Sequence, residues 1–219
     1  MNSGLKLYSY WRSSASYRVR IALALKNLDY EYLPVHLTRD GGEQYSAEYR
    51  ALNPQQRVPF LVDGEFGIGQ SLAILDYLEA RFPTPALVPA DERERARMLS
   101  FCHCIASDMQ PLQNLGPLNY LTGTLGLSEA QKMTWLRHWI DRGMSALEAE
   151  WAQRPDSAFV MGEEPSQADC CLVPQIYAAE RFGGNLAAYP RLTALALRLR
   201  ELPAFAAAHP DCQPDAMPA

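Results

Sequence analysis

Chemistry concentrates in one short run of hydroxyls and cations, Arg12-Ser13-Ser14-Ala15-Ser16-Tyr17-Arg18. One serine at a helix start satisfies a backbone N–H, and one such cap is enough. Three serines exceed that need. Because a helix N-terminus carries about half a positive charge, the loop has the composition to hold an anion. It has no neighbouring histidine and no G-x-S-x-G elbow, which argues against a serine nucleophile. A second polar stretch, Asn53-Pro54-Gln55-Gln56-Arg57-Val58-Pro59-Phe60, sets a proline just inside a strand pattern, where it removes a ladder hydrogen bond. Pro59 reads either as an edge-strand proline or as a cis bond that turns the Val58 backbone outward to pair with an extended peptide. Gln70-Ser71 repeats the first arrangement at another helix start: Ser71 caps the helix, or its amides receive a carboxylate.

Other clusters read as structural. Ser166-Gln167-Ala168-Asp169 has the form of a capping box with Asp in the acidic position. Cys102-His103-Cys104 brings soft ligands together, but on a helix its two cysteines lie about 200° apart, so no metal site is expected. The five cysteines form no C-x-x-C pair, and a disulfide framework is not expected. Arg12 and Arg181 have the ordinary reading of surface cations.

The elements that must position these residues fall into two textures. Leu5 to Tyr10 alternates as a strand. Tyr17 to Lys26 follows as a helix, Tyr30 to Leu37 as a strand, Tyr45 to Leu52 as a short helix, Val58 to Val62 and Phe66 to Ile68 as strands joined at Asp63-Gly64, and Ser71 to Phe82 as a helix. The order β-α-β-α-β-β-α describes a small mixed α/β layer. Three prolines within Pro83–Pro89 then mark a boundary. Beyond it helices are expected at about Asp91–Leu112, Ser128–Gln153, Ser166–Arg181 and Tyr189–Leu202, with Pro111 and Gly116-Pro117 ending or bending the first. The tail after Pro203 shows few periodic positions. The division expected is an α/β domain at 1–83, a linker at 84–90 and an all-helical domain at 91–219.

Composition narrows the partners. The chain carries 20 Lys+Arg against 25 Asp+Glu, a net charge of -5, which argues against nucleic acid. With no apolar run near the roughly 18 to 20 residues that span a bilayer, and no leader pattern, a cytoplasmic protein without a membrane partner is expected.

Together these motifs resemble the thioredoxin-like N-terminal domain of a glutathione transferase. Ser13 through Leu23, Asn53-Pro54-Gln55-Gln56, Gln70-Ser71-Leu72-Ala73-Ile74 and Gln110-Pro111-Leu112-Gln113-Asn114-Leu115 are similar to the zeta class, and the likeness extends to Gln213-Pro214-Asp215. The resemblance implies an α/β thioredoxin-like domain followed by an all-α domain, with the active site in the cleft between them, and a homodimer. It implies glutathione as cofactor, held by the loop residues Ser13, Ser14, Ala15, Ser16, Tyr17 and Arg18. Gln44, the main chain of Val58 before a cis Pro59, and Gln70 with Ser71 at the γ-glutamyl carboxylate would complete that side. Gln110, Asn114, Leu115 and Gly116 would add contacts from the helical domain. By the same resemblance Ser13 would be the thiolate partner and Ser14 its support, while Arg12 and Arg181 would face a dicarboxylate substrate. One position departs: the family loop usually reads S-S-C, and here the third residue is Ala15.

The activity implied is cis–trans isomerisation of maleylacetoacetate to fumarylacetoacetate in aromatic amino-acid catabolism. Thiolate addition to the cis double bond gives an enolate with a rotatable single bond, and expulsion of the thiolate returns glutathione. Maleylpyruvate is the alternative substrate; a conjugating transferase or haloacid dehalogenase, and a non-catalytic binding module of the same fold, are the other readings.

Overall fold

Leu5, Leu7 and Ser9 are buried while Lys6 and Tyr8 turn away, and this alternation makes β1 (Leu5–Ser9) the central strand of a four-stranded sheet. Its neighbours are β2 (Tyr30–Pro34), parallel, and β3 (Phe60–Asp63), antiparallel; β4 (Phe66–Gly69) pairs with β3 at the edge. Leu7 sits opposite Tyr32 on one side and Leu61 on the other. The helices of this layer are α1 (Ser14–Leu25), the short α2 (Ala47–Leu52) and α3 (Ser71–Arg81). Val19, Ile21, Ala22 and Leu23 of α1 and Ile74, Leu75 and Leu78 of α3 are buried, and the two helices pack together.

The computed structural model describes residues 4–217. Their contacts divide the chain into two units, one reaching Leu87 and resuming at Arg200, the other Val88–Leu199. The resumption differs from the expected division, which assigned everything from 91 onward to the helical part. Beyond Pro203 the chain forms α9 (Pro203–Ala208), whose buried Phe205 and Ala208 pack on α1. Six residues are too few to display a helical period, so this element was invisible as a pattern.

Lys26, just past α1, fastens the end of the first unit. Its ammonium donates to the carbonyls of Phe82 and Pro85 at 2.7 and 2.8 Å and pairs with Glu79 at 2.8 Å. Glu79 in turn accepts the Leu87 N–H.

The second unit is helical. α4 (Glu92–His103) runs into a π-helical turn, Cys104–Met109, and a 3₁₀ turn, Gln110–Gln113, so the single helix expected to Leu112 is broken before Pro111. α5 (Leu115–Asn119) and α6 (Glu129–Trp151) follow, the latter opened by a Ser128–Gln131 capping box. Leu136, Ile140, Met144, Leu147 and Trp151 form the buried stripe of α6 at spacings of four and three. Gly143 lets Met109 pack close to this helix: a Cβ there would lie 2.2 Å from the Met109 sulfur, so that side chain would have to shift. α7 (Gln167–Phe182) is buried along most of its length, and α8 (Pro190–Arg200) completes the unit. Among the described residues no helix is long and apolar enough to cross a membrane.

Candidate functional site

Ser13 is the N-cap of α1, with extended backbone (φ -70°, ψ 117°), and its Oγ accepts the Ser16 N–H at 3.2 Å. Capping and anion binding are not alternatives at this position. A hydroxyl accepts with its lone pairs and donates with its hydrogen; used as an acceptor by Ser16, Ser13 donates to none of the described residues. Ser13, Ser14 and Ala15 are half-buried, and Arg12 is exposed. Ser16, Tyr17 and Arg18 are fully enclosed. Of the side chains from Ser13 to Arg18, only the first three are therefore partly open to solvent.

Arg18 shows what an enclosed side chain of this loop does. Its Nη1 donates to Ser71 Oγ at 3.1 Å, joining the start of α1 to the start of α3 across 53 positions. Ser71 does not cap α3. It occupies the first helical position, and the N-cap is Gln70, whose φ of 69° is the left-handed region a non-glycine residue rarely adopts. Gln70 makes no side-chain cap bond. Its amide donates instead to Gln55 Oε1 at 2.6 Å, and both side chains are exposed. The α3 amides thus start without a side-chain acceptor, the state in which a carboxylate is bound.

The Val58–Pro59 bond is cis, the second of the two readings left open for Pro59 and the one the resemblance implied. The carbonyl before it is held twice: Arg57 O accepts the Tyr49 hydroxyl at 2.7 Å and the Asn53 amide at 2.8 Å. Burial pushes the Tyr49 phenol up to about 12, so it serves as a permanent donor. The support from Asn53 and Gln55 was not foreseen because the stretch draws attention to its prolines; its three amides within four residues, Asn53, Gln55 and Gln56, were the available signal. Gln44 is buried, donates to Leu37 O at 3.2 Å, and leaves Oε1 without a partner. A buried acceptor of this kind calls for a donor that the described residues do not supply.

In the helical unit, Gln110 donates its amide to Asn114 Oδ1, and Asn114 opens α5 without a side-chain cap bond. Leu115 is half-buried and Gly116 exposed. The two cations lie in different units. Arg12 stacks 4.3 Å from the Trp11 ring centroid, and Arg181, exposed in the last turn of α7, lies 4.3 Å from that of Phe182. Both guanidinium groups therefore lie beside an aromatic ring of the next or preceding residue. Among the described residues no group of His, Cys, Asp or Glu could hold a metal.

A β-α-β-α-β-β-α layer with an N-cap serine and a cis proline, followed by helices, is the layout of a glutathione transferase. The chain belongs to the glutathione S-transferase family, whose N-terminal domain matches residues 7–86 and whose C-terminal domain matches 135–206. Within it the chain groups with the zeta class. It is 50% identical over 212 residues to the probable maleylacetoacetate isomerase of Vibrio cholerae, covering 97% of this chain and 98% of that one. Its fold is similar to the holo structure of a maleyl pyruvate isomerase described as a bacterial zeta-class glutathione S-transferase (TM-score 0.94, 43% identity, 97% and 100% covered). It is also similar to the maleylacetoacetate isomerase of Anaeromyxobacter dehalogenans solved with GSH bound in the active site (TM-score 0.86, 44% identity, 97% and 98% covered).

Proposed function

We propose that the chain is a glutathione-dependent isomerase that converts maleylacetoacetate to fumarylacetoacetate. The observation that carries this reading is the Ser13 hydroxyl, fixed by Ser16 as an acceptor and left as a donor at a helix N-terminus. The relatives named above support the reaction and the substrate class. The residues fit glutathione: the lone Gln44 Oε1 suits an N–H donor, and the α3 N-terminus beside Gln70 and Ser71 suits a carboxylate. Val58, next to the firmly held Arg57 carbonyl, suits main-chain pairing.

When bound, glutathione supplies a thiolate that adds reversibly to the cis double bond, allows rotation about the resulting single bond, and departs unchanged. The chain's part is to make that thiolate available. A free thiol titrates near 8.5, and lowering it by about two units takes about 2.7 kcal/mol. A hydroxyl hydrogen bond from Ser13 together with the α1 dipole is of that size, and Ser14 supports it. Arg12 and Arg181 each hold a substrate carboxylate, and their charge offsets the further negative charge that the substrate gains when the thiolate adds. In the helical unit Gln110, Asn114, Leu115 and Gly116 contribute to the ligand contacts. The first unit is read as the glutathione-binding domain and the second as the substrate-binding domain, in a cytoplasmic homodimer that sedimentation would reveal.

Maleylpyruvate is the second reading, favoured by the 0.94 TM-score to a maleyl pyruvate isomerase. The uncharged Leu115-Gly116 pair adds no cation for a shorter keto acid and leans toward maleylacetoacetate. The test is isomerisation of both substrates with glutathione in catalytic amount. Turnover with glutathione recovered supports the proposal; stoichiometric consumption identifies a conjugating transferase, and glutathione binding without turnover of either substrate a binding module. Arg181→Lys should lose more isomerase activity than conjugation of a neutral electrophile, and equal losses would remove Arg181 from the substrate site.

A further inference from the structure

The serine loop is held from behind by the far end of the chain. Asp215 Oδ2 accepts the Trp11 N–H at 3.1 Å, across 204 positions, and Asp215 Oδ1 accepts the Tyr32 hydroxyl at 2.6 Å. The opposite side of the same peptide run belongs to Arg20. Its Nη2 donates to Trp11 O at 2.9 Å and its Nη1 to Tyr10 O at 3.4 Å, while its Nε reaches Ala208 O in α9 at 3.1 Å. Tyr10 O also accepts the Ser13 N–H at 3.0 Å. Both backbone polar groups of Trp11, two residues before Ser13, are therefore fixed by side chains, and Trp11 itself is 3% exposed. Loops at the surface ordinarily leave such groups to water.

We propose that Asp215 is a positioning residue for Ser13: by holding the Trp11 amide it sets where the Ser13 hydroxyl stands, and so how strongly the glutathione thiol is acidified. The inference rests on the glutathione reading above. Donors at a reacting centre lose much of their effect when misplaced by a fraction of an ångström, so a backbone anchor two residues away has leverage. The carboxylate acts here through geometry, since a negative charge alone would oppose a nearby thiolate. Asp215→Asn separates the two effects. An asparagine can accept the Trp11 N–H with its oxygen and donate to the Tyr32 oxygen with its amide, whereas Asp215→Ala loses both bonds.

The readout is the thiolate absorbance of enzyme-bound glutathione across pH, with thermal stability and the kcat and KM for a maleyl substrate measured on the same preparations. Asp215→Ala should raise the bound thiol pKa by about one unit, a tenfold loss of thiolate below that pKa, and lower kcat about tenfold with KM little changed. Asp215→Asn should stay within about twofold of wild type, and Tyr32→Phe, which frees one carboxylate oxygen, should shift the thiol about threefold in the same direction as Asp215→Ala. Lys26→Met destabilises the same unit elsewhere and should lose thermal stability with the thiol pKa unmoved. An Asp215→Ala enzyme that melts early like Lys26→Met but keeps the wild-type thiol pKa would overturn the proposal. If Asp215→Ala does not fold, an unshifted thiol in Tyr32→Phe overturns it equally. A wild-type thiol that titrates like free glutathione removes the underlying reading, and this inference with it.

Discussion

Two kinds of helix N-terminus in this molecule carry a serine, and they differ in what is left over. At α7, Ser166 donates both its N–H and its hydroxyl to Asp169 Oδ2 at 2.8 Å, and the Val160 N–H donates to Oδ1 at 2.7 Å. Ser166 is 2% exposed and Asp169 fully buried, so no capacity remains for a ligand. At α1 the Ser13 hydroxyl is used only as an acceptor and stays half-exposed, and at α3 the N-cap Gln70 makes no cap bond at all. A serine before a helix is thus uninformative by itself. The unspent hydrogen-bonding capacity separates a site from a joint.

The largest way to sharpen this contrast is Asp169→Ala. Three buried donors lose their acceptor, and unfolding measurements should show a loss of about 3–5 kcal/mol, with glutathione affinity of the folded protein unchanged. Ser13→Ala should give the opposite pattern: stability falls by only about 1 kcal/mol for the cap, while turnover falls about tenfold to a thousandfold as the bound thiol becomes less acidic. Wild-type turnover in Ser13→Ala alongside a dead Ser14→Ala would move the thiolate role to Ser14.

A pH series probes the closed end. Burial raises the Asp169 carboxyl from 3.8 to about 6, against the pull of the Val160 and Ser166 donors. A raised carboxyl binds its proton more tightly folded than unfolded, so its contribution is fully present below about pH 4 and declines as pH rises toward about 6. The stability of wild type minus that of Asp169→Asn should fall by on the order of 2 kcal/mol over that window. A flat difference would mean that the three donors offset the desolvation completely. The smallest effect belongs to the open end at α3. Ser71→Ala should weaken glutathione affinity by about 1–2 kcal/mol in calorimetry while turnover at saturation changes less, and unchanged affinity would class α3 with α7.

Much of this was legible in the chain. The alternation Leu5-Leu7-Ser9 gave β1, the order of elements through Phe82 held, and Ser166 with Asp169 formed the expected box. The features that escaped are those with no local pattern. Whether Ser71 caps depends on the left-handed Gln70 before it, and Arg18 became a link to Ser71 because α1 and α3 pack together. The π-helical turn at Cys104–Met109 has no periodic signature distinct from a helix, and α9 declares itself only through the surface it covers on α1. Local pattern encodes where a helix starts; whether its start is occupied is decided by residues far along the chain.

The return of the chain at Arg200 also has a consequence for synthesis. Domains emerging from a ribosome ordinarily fold in the order they are made. Here the Trp11 amide and the Arg20 guanidinium wait for Asp215 and Ala208 while the whole of Val88–Leu199 is translated between them. The serine loop therefore reaches its final form only after the helical unit has been made, so a nascent chain interrupted before that point carries the glutathione-binding sequence without the fastening that completes it.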